Sequence, residues 1–315
     1  MRAILLLLVS LLLALASTAA GRDIFVDNTV GDDQFTGEQP RRTPDMTGPV
    51  YSLGQALRLA QPGDAIIVAK TDVPFFESLS LVGHRHSGSR QQPFTIIGNG
   101  AILDGSAPIR SHAWKPYKDS IFRFRPQAMS HQQLFLDGLP ALQVAVAPSQ
   151  HEPPPLKPRQ WCSVDGYIYF CVDHDKQPSD YRLSCASRKT GITLFQVENV
   201  RLSNLIVQGY QIDGIQLANS ARQVSVVGVV CRGNGRAGVV VGGASSVDLD
   251  PSTGLGDNGR AQLLTLPYSE AHVRGRLLSN TAPAWVDQGG TVYIQGERRQ
   301  GGLDHLPAIG QERKP

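Results

Sequence analysis

Two aspartates, Asp248 and Asp250, flank Leu249 in the stretch Val247-Asp248-Leu249-Asp250. If Val247 and Leu249 point inward from a strand, both carboxylates leave the same outer face, about 6.5–7 Å apart at Cα, with Asp257 at the next bend. Carboxylates so placed can act as acid and base in glycoside hydrolysis or contribute to a Ca²⁺ site. The plainer alternative is an acidic turn beside Pro251. Arg236 and Arg260 form a second candidate set, 24 residues apart and each within the same tetrapeptide Asn-Gly-Arg-Ala. A guanidinium is a planar donor fork suited to carboxylates and sulfates, so stacked arginines could receive an acidic polysaccharide. Asp213 lies next to the equivalent position one repeat earlier and joins Asp248 and Asp250 as a candidate catalytic carboxylate. Its competing role is an ion pair with Arg236 that only holds a turn together.

Other constellations carry less. Gly233-Asn234-Gly235-Arg236-Ala237-Gly238 fits the G-x-G-x-x-G dinucleotide pattern, which needs a following helix to receive the pyrophosphate. The run Val239-Val240-Val241 ahead of Gly242-Gly243 reads as a strand instead, so no nucleotide is expected. His84 and His86 lack a third ligand at a recognisable spacing and read as an exposed loop, which leaves metal ligands unassigned. Cys162, Cys171, Cys185 and Cys231 are too few for a disulfide framework in 315 residues. A two-residue Asp165-Gly166 turn would pair Cys162 with Tyr169, which leaves any Cys162–Cys171 bridge open.

The elements that must position these residues show in an internal repeat. The segment from Val200 to Gly209 is echoed 24 residues later from Val224 to Gly233, with Gly209 matching Gly233 and Gly214 matching Gly238, and Asn234-Gly235-Arg236-Ala237 returns as Asn258-Gly259-Arg260-Ala261. Within each repeat, alternating apolar residues (Val200, Leu202; Leu205, Val207; Ile215, Leu217) are bounded by Gly or Asn, the pattern of short strands between tight bends. Such a unit cannot bury its apolar side alone. Stacked at about 4.8 Å, the units make an all-β parallel β-helix in which Cys231 takes the core position of Val207.

This coil pattern over residues 192–265 resembles the right-handed, single-stranded parallel β-helix proteins of the pectate-lyase-like superfamily of polysaccharide lyases and glycoside hydrolases. The opening cap looks similar too: Ile24-Phe25-Val26-Asp27-Asn28, then Pro62-Gly63-Asp64-Ala65-Ile66-Ile67-Val68. Between them Ser52 and Gln55 read as a capping box, and Leu53, Ala56, Leu57 and Ala60 share the face of a short helix that covers the first coil. The resemblance implies an exported protein that binds or cleaves polysaccharide. It departs from the pectin-hydrolysing members, whose paired-aspartate and Gly-His-Gly motifs are missing, with Arg236-Ala237 where a histidine is wanted. A catalytically silent glycan-binding or structural envelope protein is the alternative.

The chain divides accordingly. Residues 1–20, with Arg2, an apolar run and Ser17-Thr18-Ala19-Ala20, read as a secretory signal peptide, which predicts a secreted, periplasmic or envelope location. Residues 21–109 read as the cap and first coils. Residues 110–190, with two hairpin signals at Asp137-Gly138 and Asp165-Gly166, read as a small β-rich insertion. Residues 191–296 continue the coils, and 297–315 read as a polar tail. No segment is apolar enough over sufficient length to span a membrane. A formal net charge of +3 is too small for a dedicated nucleic-acid binder.

Overall fold

The computed structural model describes residues 21–45, 47–127 and 131–299. The proposed signal peptide and most of the proposed tail lie outside the described residues. The repeat becomes a stack of parallel strands with three faces. One face runs through Asp23–Val26, Ala65–Val68, Phe94–Asp104, Glu198–Gln208, Arg222–Val227, Ser246–Leu249, Glu270–Val273 and Thr291–Ile294. The second half of Glu198–Gln208 continues into Val230–Arg232, Gly254–Gly256 and Arg276–Leu277. The third face runs through Leu79–Val82, Ile192–Phe195, Asp213–Ala218, Ala237–Val241, Ala261–Thr265 and Trp285–Asp287. It is an all-β parallel β-helix.

Register explains the core. Val200, Val224, Val247, Ala271 and Val292 stand in line on successive strands, and all are buried. Val207, Cys231 and Leu255 form a second line, and burial pushes the Cys231 thiol well above its ordinary range. The alternation is reset at Gly228, which turns the chain at φ +62°, so Val229 is buried and Val230 only half-buried. The repeated glycines mark a corner that needs a left-handed residue: Gly209 (φ +79°) and Gly233 (φ +61°) are followed in the third coil by Asp257 (φ +56°). Beside this corner the carboxamides of Asn234 and Asn258 stack inside the coil. Asn234 Nδ2 donates to Asn258 Oδ1 (3.1 Å), and Asn258 Nδ2 donates to Gln262 Oε1 (2.7 Å).

At the first coil, Leu53–Leu59 is a helix that buries Leu53, Ala56 and Leu57. Ser52 caps it by accepting from Gln55 N (3.1 Å), but Gln55 does not close the capping box. Its side chain donates to the carbonyl of Asp33, whose carboxylate already holds Ser52 N. Antiparallel strands lie between Ser106–Pro108 and Leu183–Ala186 around their own core of Trp114, Phe122, Phe124, Trp161 and Phe170. Both hairpins form, and Cys162 pairs across with Tyr169. The tail was expected to begin at residue 297, but Glu297–Arg299 turns back as a strand antiparallel to Thr291–Ile294.

Candidate functional site

The predicted residues separate into two places. At the glycine corner, Arg236 Nε and Nη2 donate to the two carboxylate oxygens of Asp213 at 2.9 and 2.6 Å. Asp213 is fully buried, so it is a structural partner and not a carboxylate that a glycan can reach. Burial pushes its carboxyl above the ordinary value, and Arg236 pulls it back only in part. Arg260 is exposed one coil on, and among the described residues no carboxylate forms an ion pair with it. Both arginines act on His131, from the antiparallel segment, whose imidazole is held below its ordinary value by burial first, then by Arg260 and Arg236. The arginine pair therefore shares a neighbour, but Arg236 is already committed to Asp213.

Asp248 belongs elsewhere, on the outer side of the first face. Val247 and Leu249 are buried, as the alternation requires, and the side chain between them points out. In line with it across neighbouring strands stand Arg201, Ser225, His272 and Tyr293. Four inter-strand steps give this row a length of about 19 Å. Two hollows of about 420 and 400 Å³ follow it and adjoin at Gln223 and Ser225. Arg90 and Arg201 line the first, and Asp248, Glu270 and His272 line the second. The groove is thus cationic at one end and acidic at the other.

Strand Glu270–Val273 makes the acidic end because Ala271 and Val273 face the core and leave Glu270 and His272 outside. His272 Nε2 lies 2.6 Å from Glu270 Oε1, and the imidazole stacks on Tyr293 at 4.7 Å and 5°. Asp248 accepts two bonds from Arg274 Nη2, at 2.9 and 3.1 Å. Ser246 pairs with Glu270 while Asp248 pairs with His272, so Asp248 and Glu270 are diagonal neighbours on one face. Strand geometry sets their Cα atoms about 8 Å apart, and both side chains border the same hollow, as two carboxyl groups flanking a glycosidic bond must.

Asp250 faces out as expected but folds back on its own turn, accepting from Ser252 N (2.9 Å) and Oγ (2.6 Å), which holds its carboxyl below the ordinary range. Asp248 thus shares its hollow with Glu270, while the Asp250 carboxylate is engaged by Ser252. Among the described residues no group of three or more His, Cys, Asp and Glu side chains could hold a metal ion, so the Ca²⁺ option gains no third side chain here. His86 is not in an exposed loop: it is buried, with Nδ1 accepting from Val82 N (3.0 Å) and Nε2 at 3.0 Å from Leu57 O. The G-x-G-x-x-G stretch runs into the strand Ala237–Val241, where nucleotide binding needs a helix. The alternation in Glu270-Ala271-His272-Val273 is the signal that could have located the acidic end.

Known proteins give the fold a context. No family model matches the sequence, and neither does any curated protein. A solved structure described as a glycoside hydrolase superposes with a TM-score of 0.58 at 10% identity, covering 88% of this chain and 74% of its own. A complex of XylC with xylose gives 0.40 at 12% identity, covering 87% of this chain and 70% of its own. The GH136 lacto-N-biosidase from Eubacterium ramulus gives 0.38 at 11%, covering 90% and 58%. The first establishes a shared fold; the other two carry no argument. Among the described residues no helix is long and apolar enough to cross a membrane.

Proposed function

We propose that this chain is an exported protein that lays a polysaccharide along the groove from Arg90 and Arg201 to Tyr293 and hydrolyses it between Asp248 and Glu270. The observation that carries this reading is the outward row Arg201, Ser225, Asp248, His272, Tyr293 with Glu270 on the diagonal. Glu270, beside His272, protonates the leaving glycosidic oxygen. Asp248 then supplies the second function, either taking a proton from the attacking water or forming a glycosyl ester that water opens. The anomeric configuration of the first product distinguishes the two. Arg274 provides the countercharge for the carboxylate that acts in its ionised form. Arg90 and Arg201 favour a substrate with acidic substituents at that end.

The coil pattern supports placing the chain in the pectate-lyase-like superfamily, and the glycoside hydrolase of similar fold supports a glycan as substrate. The test is a screen of the full chain against neutral and acidic polysaccharides, with and without Ca²⁺. Reducing ends report hydrolysis and ultraviolet-absorbing unsaturated ends report elimination. Reducing ends without unsaturated ends are expected. Unsaturated ends would replace hydrolysis by elimination, and retention without cleavage would favour a non-catalytic glycan binder.

A further inference from the structure

The antiparallel segment carries a second surface that the groove does not use. The five-stranded sheet of Lys115–Lys118, Ile121–Phe124, Tyr167–Cys171, Gln160–Val164 and Leu142–Gln143 buries Phe122, Phe124, Ile168 and Phe170 on one side. On its other side Val146 and Leu156 pack over Cys162, Val164 and Tyr169, and beside that cluster stand Lys115, Tyr117, Arg123 and Tyr167, with Arg125 beyond the strand end. The Arg123 guanidinium lies 5.2 Å from the Tyr117 ring centre and 4.8 Å from that of Tyr167, and Arg125 lies 5.8 Å from Tyr167. Tyr169 supports Arg123 from below: its hydroxyl is 3.4 Å from Arg123 Nη1, and its ring packs edge-on against Tyr117 at 5.0 Å. Tyr169 is buried while Tyr117 is 38% exposed.

Among the described residues no carboxylate forms an ion pair with Lys115, Lys118, Arg123 or Arg125, although most arginines elsewhere that stack or bond have one, as Arg159, Arg236 and Arg274 do. In a chain of net charge +3 this is a local surplus. The tyrosine rings fix the guanidinium planes by cation–π contact and leave their outer N–H edges to solvent. The same contact occupies a face of the Tyr117 and Tyr167 rings, so a nucleobase must compete with a guanidinium for it. What remains is a set of planar donors that suits the carboxylates of uronic acids or the sulfates of a sulfated glycan.

We infer that the Tyr117/Arg123/Arg125/Tyr167 face is an accessory binding surface for an anionic glycan, held through its carboxylates or sulfates and separate from the cleavage groove. This rests on the reading of the chain as a glycan-acting protein, but its test measures binding and not cleavage. The full chain is passed over immobilised polygalacturonate, chondroitin sulfate, a neutral xylan and single-stranded DNA, and eluted with a salt gradient. Arg123→Gln/Arg125→Gln is compared with Arg260→Gln, an exposed arginine at the glycine corner, after thermal melts confirm that each is folded.

Retention on one or both anionic glycans, weakened about tenfold by the double change and little altered by Arg260→Gln, is the expected result. Loss on polygalacturonate, with or without loss on chondroitin sulfate, whose uronates also carry carboxylates, identifies carboxylates as sufficient, and loss on chondroitin sulfate alone brings in sulfates. Equal retention of parent and double variant, loss of equal size in Arg260→Gln, or stronger retention on DNA than on either glycan would overturn the inference. Inactivity of the groove leaves this outcome unaffected, so the two readings fail separately.

Discussion

At the scale of single residues, the structure sorts the charged side chains by what they touch. Asp248 and Glu270 reach the groove with about half of each side chain exposed, so replacing either changes chemistry more than folding. Glu270→Gln and Asp248→Asn should each lower turnover by about 10²–10⁴-fold and leave the melting temperature close to that of the parent; an active Glu270→Gln would remove the proposed acid. Asp213 is the opposite case. Its folded-state value is raised by burial, so the native protein holds the proton more tightly than the unfolded chain, and its contribution to stability is fullest below the unfolded value and falls as pH rises through the folded one. Arg236→Gln leaves that burial unopposed and should cost about 3–5 kcal/mol near neutrality. Relative to the parent the penalty should shrink toward pH ~4, and Asp213→Asn/Arg236→Gln should recover part of it at neutral pH. Melts at both pH values check this, and an equal penalty at each would contradict it. Asp213 and Arg236 were visible in the sequence as neighbours on successive repeats, but whether a neighbour is buried depends on what packs over it. Here that includes the antiparallel segment, which brings His131 from about a hundred residues away in sequence to the same corner.

At the scale of elements, the corner glycines and the inward valines were legible because both have a local cause: a left-handed bend needs glycine or its nearest substitute, and a half-buried strand alternates. The groove was less legible. Ser225 and Asp248 are partners 23 residues apart inside a repeat of 24, because the Gly242–Ser245 bend is one residue shorter than its predecessor, and a one-residue slip moves side chains between faces. Asp248 and His272 regain 24, and His272 and Tyr293 fall to 21, so the row has no constant sequence spacing. The asparagine stack is the element most sensitive to substitution. Asn234 accepts from Tyr210 N (3.3 Å) and donates to Val207 O (3.1 Å) within the buried interior. Asn234→Ala orphans these groups at about 1–3 kcal/mol each, and chemical unfolding should show a loss of that order. Ser52→Ala at the capping helix should cost about 1 kcal/mol, since Gln55 N loses its acceptor and the half-buried Asp33 carboxylate loses the Ser52 hydroxyl.

At the scale of the whole molecule, the stack presents a long, regular outer face and adds specificity to it through what is attached. The strands supply rows of side chains one strand spacing apart, a spacing suited to an extended polymer, and the antiparallel segment supplies a separate basic surface. Export follows from the first twenty residues as a proposal of its own: the mature chain should begin close to Gly21, and amino-terminal sequencing of secreted material that returned Met1 would contradict cleavage. We propose above all that Asp248 and Glu270 cleave a glycan in the groove. Reducing-end release from the polysaccharide panel, measured side by side for the parent chain and for Glu270→Gln at matched folded concentration, tests it most directly. Release by the parent from at least one polysaccharide and its near-complete loss in the variant are expected. Equal release by both proteins, or none by the parent from any polysaccharide, would contradict it.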